Sequence, residues 1–109
     1  MKIIIEMAKS EVIEILRSYI YLLRAEGISV HKAFLYGSYL SNTATNESDI
    51  DLMIVTENEN DDNLAGKIWK LTKKVNSRIE PFLVGTSRFN SNDNSPLVDL
   101  VKRTGLEIV

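Results

Sequence analysis

Leu35-Tyr36-Gly37-Ser38, ten further residues, then Asp49-Ile50-Asp51-Leu52: this stretch decides the fold. Lys32 to Tyr36 reads as a strand that stops at Gly37. Ser, Asn, Thr and Glu dominate Ser38 to Ser48, so a loop follows. A second strand runs from Asp49 to Val55. Alternation turns Ile50, Leu52 and Ile54 to one face and Asp49, Asp51, Met53 and Val55 to the other. A Gly-Ser pair and an Asp-x-Asp at this separation should meet by chance in roughly one chain in a thousand of this length, given average residue usage. Each half alone is common.

Phosphoryl-transfer chemistry needs both halves. Residues two apart on a strand project from one face, with backbones roughly 6.6 Å apart. Two carboxylates so placed converge on one cation, and Mg²⁺ takes one or two carboxylates plus substrate phosphates. Asp49 and Asp51 meet that requirement. Gly37 lets the backbone approach a phosphate closely, and Ser38 offers an N–H and a hydroxyl. If Ser38 to Ser41 winds into a helical turn, its N-terminus favours an anion. Glu80, among Ile79, Phe82 and Leu83, is the candidate third carboxylate. It would ligate a second metal and help deprotonate an attacking hydroxyl. Ordinary structure also accounts for each piece: a polar strand end, a strand-to-loop turn, a solvent-facing edge residue.

Around the motif the chain predicts helix, strand, strand, helix, strand, helix, in a single domain spanning 1–109. Ser10 is the expected N-cap of the first helix, with Val12, Leu16, Tyr19 and Leu23 at helical spacing and Gly27 as the stop. Asp61 or Asp62 caps a second helix whose stripe is Leu64, Ile68, Leu71 and Val75. Arg78 to Val84 is a third strand, and Pro81 puts it at a sheet edge. Thr86 to Asn94 reads as a polar loop. Ser95-Pro96 opens a last helix, Gly105 ends it, and Leu106 to Val109 form a short terminal strand. Met1 to Glu6 is either an added strand or the approach to the first helix. The class is a small α/β fold: a mixed sheet with helices packed on one face and the other face left for a site or a partner.

Composition narrows the function. With 109 residues, 44% of them hydrophobic, the chain can bury one small core. A net charge of -2 argues against binding long nucleic acid over its own surface, which takes clustered Lys and Arg. The absence of cysteine excludes disulfides, zinc-thiolate sites and cysteine nucleophiles. No apolar run approaches the roughly 18 residues of a membrane span, and the N-terminus lacks a secretory pattern. The expectation is a cytoplasmic protein.

Leu35-Tyr36-Gly37-Ser38-Tyr39 followed by Ser48-Asp49-Ile50-Asp51-Leu52 resembles the minimal nucleotidyltransferase family of the DNA polymerase beta-like superfamily. The similarity runs over essentially the whole chain. It implies a nucleotidyltransferase fold that uses Mg²⁺ with ATP as substrate. By this resemblance Gly37 and Ser38 would bind the nucleotide phosphates, Asp49 and Asp51 would hold Mg²⁺, and Glu80 would stand at the third acidic position. Members of this kind transfer a nucleoside monophosphate, commonly AMP, to a hydroxyl. Many are the antitoxin of a two-gene pair and adenylylate a tyrosine of a helical HEPN toxin. Where the family often has a basic residue followed by Gly, this chain has Ser41 and Asn42.

Two main function classes follow. One is an Mg²⁺-dependent adenylyltransferase whose acceptor comes from a partner polypeptide or a second copy, because so small a chain cannot enclose it. The other is a catalytically weak binding module that neutralises a toxin by forming a complex with it. A small-molecule adenylyltransferase fits less well, since no second domain is present to form an acceptor pocket. Among other residues, His31 reads as a surface histidine with no acidic partner, and Lys67, Lys70, Lys73 and Lys74 as a solvated helix face. Trp69 reads as core packing beside the helical stripe. Arg88 is a reach for phosphate, and Tyr36 and Tyr39 flank the Gly-Ser turn where a base could stack.

Overall fold

A computed structural model describes residues 8–45, 47–57, 61–92 and 95–109. The ambiguous Met1 to Glu6 segment lies outside them. Helix α1 (Lys9–Ala25) starts from Ala8, two residues before the Ser10 cap expected from sequence, and no side chain caps it. Its end follows the sequence signal. Gly27 takes φ +85, its N–H donates to Arg24 C=O, and the Ile28 N–H donates to Leu23 C=O. That is the Schellman closure, which needs a residue free to adopt the left-handed region.

After α1 come β1 (Lys32–Tyr36), a short helix α2 (Ser38–Ser41), β2 (Ile50–Thr56) and α3 (Asp62–Thr72). Asp61 caps α3 by accepting from the Asn63 and Leu64 N–H groups. Strand β3 (Ile79–Gly85) follows, then α4 (Thr86–Asn90), α5 (Pro96–Thr104) and β4 (Leu106–Glu107). Ser95 caps α5 with Pro96 in its first turn, as the sequence predicts. The segment read as a loop from Thr86 onward begins with α4, whose Phe89 is buried against Phe34 with ring centroids 5.4 Å apart. Five residues are too few for a helical period to appear in sequence.

The described strands form a four-stranded mixed sheet in the order β3-β2-β1-β4. β1 runs antiparallel to both β2 and β4, and β2 runs parallel to β3. A parallel pair needs a crossover, and α3 supplies it. β3 is the edge strand that Pro81 predicts. Because the Ile50 N–H donates to Arg78 C=O, the even-numbered backbone groups of β3 turn toward β2 and Pro81 turns outward. Lacking an N–H there, Pro81 blunts the exposed edge against further strand pairing.

Helices cover both sheet faces, not one. Val12, Leu16, Tyr19, Ile20 and Leu23 of α1 pack with Ile68 and Leu71 of α3 over Leu35, Ile50, Leu52, Ile54 and Ile79. On the opposite face Phe89 of α4 and Val98 and Val101 of α5 pack over Phe34, Met53, Val55 and Val84. The expectation of a bare second face fails because Met53, Val55 and Val84 are as apolar as their neighbours and need cover. That cover stops short of the row nearest the Gly-Ser turn, and the polar side chains sit there.

Candidate active site

Strand register assembles this row. Tyr36 of β1 stands opposite Asp51 of β2, and Asp51 stands opposite Glu80 of β3. All three project to the face on which α4 and α5 pack, in step with Phe34, Met53 and Phe82 one row along, and Tyr36 borders the apolar cluster there. Asp49 precedes β2 by one residue and reaches the same cluster, since its carboxyl is hydrogen-bonded with Glu80. Strand register therefore places Tyr36, Asp51 and Glu80, and Asp49 joins them from the residue before β2.

The Gly-Ser half of the motif lies against the carboxylate half. Gly37 adopts φ +79 and ends β1 as the N-cap of α2. A Cβ at this position would overlap the Asp51 carboxylate. Glycine is therefore required twice, by backbone conformation and by the carboxylate pressed against it. The Leu40 and Ser41 N–H groups donate to Gly37 C=O, at 3.1 Å each, and begin the helical turn. Its first N–H groups, at Ser38 and Tyr39, have no intrahelical acceptor available.

The turn after α2 explains one departure from the family pattern. Asn42 has φ 62, in the left-handed region, and the Thr43 N–H donates to Ser38 C=O at 2.9 Å. Asn tolerates that conformation better than other side-chain-bearing residues, so it fills the backbone role of a glycine. Ser41 bonds back to Gly37 C=O at 3.2 Å and brings no charge.

Electrostatics mark the cluster as strained when no cation is bound. Burial, then the neighbouring Asp49 charge, raise the Asp51 carboxyl above the ordinary range. Glu80 is raised chiefly by its hydrogen bond with Asp49, then by burial and by the charges of Asp49 and Asp51. Tyr36 is pushed up to about 12 by burial, with Asp51 and Glu80 adding to it. Among the described residues no three metal-ligand side chains already converge on one point. The donor set is nonetheless that of a hard divalent cation: oxygen only, crowded and short of positive charge. A cation bound there would offset the mutual repulsion of the carboxylates.

One side chain ties the surrounding loop in place. Arg78, just before β3, donates from Nη2 to Tyr39 Oη at 2.5 Å, to Ser48 C=O at 2.7 Å and to Thr45 C=O at 3.2 Å. Its Nε also reaches Ser48 C=O at 3.2 Å, and its guanidinium lies 5.7 Å from the Tyr39 ring centre. Sequence reading made Arg78 merely the first residue of a strand. The available signal was register: parallel β2 and β3 begin side by side, so the residue before β3 must lie beside the residues before β2.

The polymerase beta nucleotidyltransferase family matches residues 10–104 of this chain. The chain belongs to that family. No curated protein matches it in sequence. Among solved structures, this nucleotidyltransferase domain is similar to a nucleotidyltransferase assignment from Sulfolobus solfataricus, with TM-score 0.55 and 10% identity over 74% of this chain and 73% of that one. It is also similar to a toxin–antitoxin structure with AMP-PNP, with TM-score 0.55 and 20% identity over 94% of this chain and 73% of that one. A mutant of the MntA-HpeT toxin–antitoxin matches with TM-score 0.53 and 18% identity over the same shares, 94% and 73%. At these identities the likeness is one of fold, and it agrees with the family that the sequence resembles.

The remaining residues singled out in the nucleotidyltransferase domain fall away from this row or change role. Tyr39 is buried and bonded to Arg78, so it is no base-stacking platform. His31 has an acidic partner after all: Nε2 lies 3.4 Å from Glu57 Oε1 on the exposed surface. Lys67 pairs with Glu26 at 3.8 Å and donates to its C=O at 3.2 Å, so it ties α3 to the end of α1. Trp69 is 48% exposed, not core. Arg88 is an exposed residue of α4. No described helix is long and apolar enough to cross a membrane.

Proposed function

We propose that this chain transfers AMP from ATP to a hydroxyl of a partner protein, a tyrosine of a HEPN-type helical toxin, and so acts as a cytoplasmic antitoxin. One observation carries the reading: Gly37 lies against the Asp51 carboxylate, while Asp51 shares a cross-strand row with Glu80. A phosphate bound by the Gly37-Ser38 backbone and a cation held by the carboxylates would thus share one small volume. Family membership supports nucleotidyl transfer. The toxin–antitoxin context is carried over from proteins similar in fold, one of which was solved with AMP-PNP.

The roles follow from position. The free N–H groups at the start of α2 and the Ser38 hydroxyl would donate to phosphate oxygens. Asp49, Asp51 and Glu80 would hold Mg²⁺. When bound, the metal would neutralise phosphate charge and stabilise the oxygens of an in-line displacement. Glu80, on the outer strand, would take the proton of the incoming hydroxyl. A bond forms between the acceptor oxygen and the α-phosphorus, the bond from that phosphorus to the β-bridging oxygen breaks, and pyrophosphate leaves. In-line geometry sets leaving group and acceptor on opposite sides. With the phosphates over Gly37-Ser38, the acceptor approaches from the β3 edge beside Phe82, which is 36% exposed on the same face as Glu80.

The test is incubation with labelled ATP, Mg²⁺ and the product of the neighbouring gene. Label on a partner tyrosine, lost in Asp51→Asn, is the expected result; no transfer from a folded wild type would contradict it. A second reading, a binding module that silences the toxin by complex formation alone, draws on the uncharged Ser41. It predicts no ATP-dependent rise in melting temperature at millimolar Mg²⁺, whereas a binding site must raise it.

A further inference from the structure

We propose that Arg78 is a positioning residue, whose guanidinium fixes the segment between the Gly-Ser turn and Asp49 and thereby sets where the first metal carboxylate stands. Its contacts span the segment. Tyr39 is the second residue of α2, Thr45 lies midway, and Ser48 immediately precedes Asp49. Among the described residues the segment's other bonds are local: the Thr43 N–H to Ser38 C=O at 2.9 Å at its start, and the Thr45 N–H to Ser48 Oγ at 2.8 Å and Ser48 N–H to Thr45 C=O at 3.1 Å at its end. Arg78 alone among the described residues joins that small loop to α2 with one side chain.

The anchor beneath it is firm. The Arg78 N–H donates to Asn76 Oδ1 at 2.9 Å, and its C=O accepts from the Ile50 N–H at 2.8 Å. The guanidinium is thus referenced to the start of both β2 and β3, the strands that carry Asp51 and Glu80. Among the described residues no carboxylate pairs with it, so its charge is spent on carbonyls and a hydroxyl. That use needs a planar fork with several donors. Nη2 reaches Tyr39, Thr45 and Ser48 while Nε adds a second bond to Ser48 and the guanidinium lies over the Tyr39 ring. Lysine has no second nitrogen for Ser48 and no planar face for the ring, and its ammonium rotates freely.

The inference rests on the proposed reaction only in its kinetic arm. The test compares wild type, Arg78→Lys and the milder Tyr39→Phe by two measurements. The first is backbone hydrogen exchange of residues 43–49 without nucleotide. The second is labelled AMP transfer across a Mg²⁺ titration. Arg78→Lys should speed exchange in that segment while the amides of β2 and α1 keep wild-type protection. It should lower kcat about 100-fold, as misplacement by about an ångström can do, and raise the Mg²⁺ concentration for half-activity. Tyr39→Phe should move both readouts the same way by less. Wild-type exchange in Arg78→Lys would overturn the proposal, as would faster exchange with unchanged kcat and Mg²⁺ dependence. A wild type inert toward every acceptor would overturn the proposed function instead, and the exchange arm would then decide the clamp alone.

Discussion

The two faces of the sheet are built from the same strands to opposite ends. Under α1 and α3, Leu35, Ile50, Leu52 and Ile54 are all fully buried and apolar. On the reverse, alternate residues of those strands begin apolar under α4 and α5 and end in the row Tyr36, Asp51 and Glu80. The first face carries stability. The second gives up stability at one end, because its acids repel one another and Asp51 is partly buried. The difference teaches that a single residue of register separates core from chemistry, so the two should respond oppositely to substitution.

Breaking the sealed face gives the largest effect. Ile54→Ala should cost about 3 kcal/mol by transfer and cavity terms, a large part of the stability of so small a domain. Denaturant unfolding measures it. On the open face Gly37→Ala should abolish nucleotide binding, because the new methyl meets the Asp51 carboxylate and the backbone is held at φ +79. A calorimetric titration with ATP and Mg²⁺ checks this, and binding at wild-type strength would refute the close approach.

Asp51→Asn sharpens the contrast. It should remove transfer yet raise the melting temperature of the cation-free protein by a few degrees at neutral pH, since it relieves burial of a charge and its repulsion by Asp49. The sign follows from linkage. A carboxyl raised by folding contributes stability below its unfolded pKa, and that contribution is lost as pH rises through the folded value. The melting temperature of wild type relative to Asp51→Asn should therefore fall as pH climbs from the ordinary carboxylate range through the raised one. Metal binding should release protons in the same window, which calorimetry in two buffers of different ionisation enthalpy detects. The smallest effect returns to the sealed face. Tyr19→Phe removes the 2.6 Å bond to Ile68 C=O and should cost about 1 kcal/mol.

How much of this was legible in sequence depends on how local each signal is. The Gly27 closure, the Asp61 and Ser95 caps and the Ile68–Leu71 stripe are written within a few residues, and they appear where expected. Pro81 marks the edge strand because a missing N–H has only one place to go. The candidate acids were legible as residue types, and the structure brings Asp49, Asp51 and Glu80 together with Gly37 beside them. The Arg78 clamp was not, because its partners lie 30 to 39 residues away in sequence. Helix α4 was missed for shortness, and with it the cover over the second face.

The central claim is that Gly37, Asp51 and Glu80 serve one nucleotide–metal site. Its most direct measurement is the Mg²⁺-dependent binding of ATP to wild type and to folded Asp51→Asn, by titration calorimetry. Wild type should bind ATP saturably and only with Mg²⁺, and Asp51→Asn should lose that binding. Equal affinity in the two proteins, or binding indifferent to Mg²⁺, would contradict the claim.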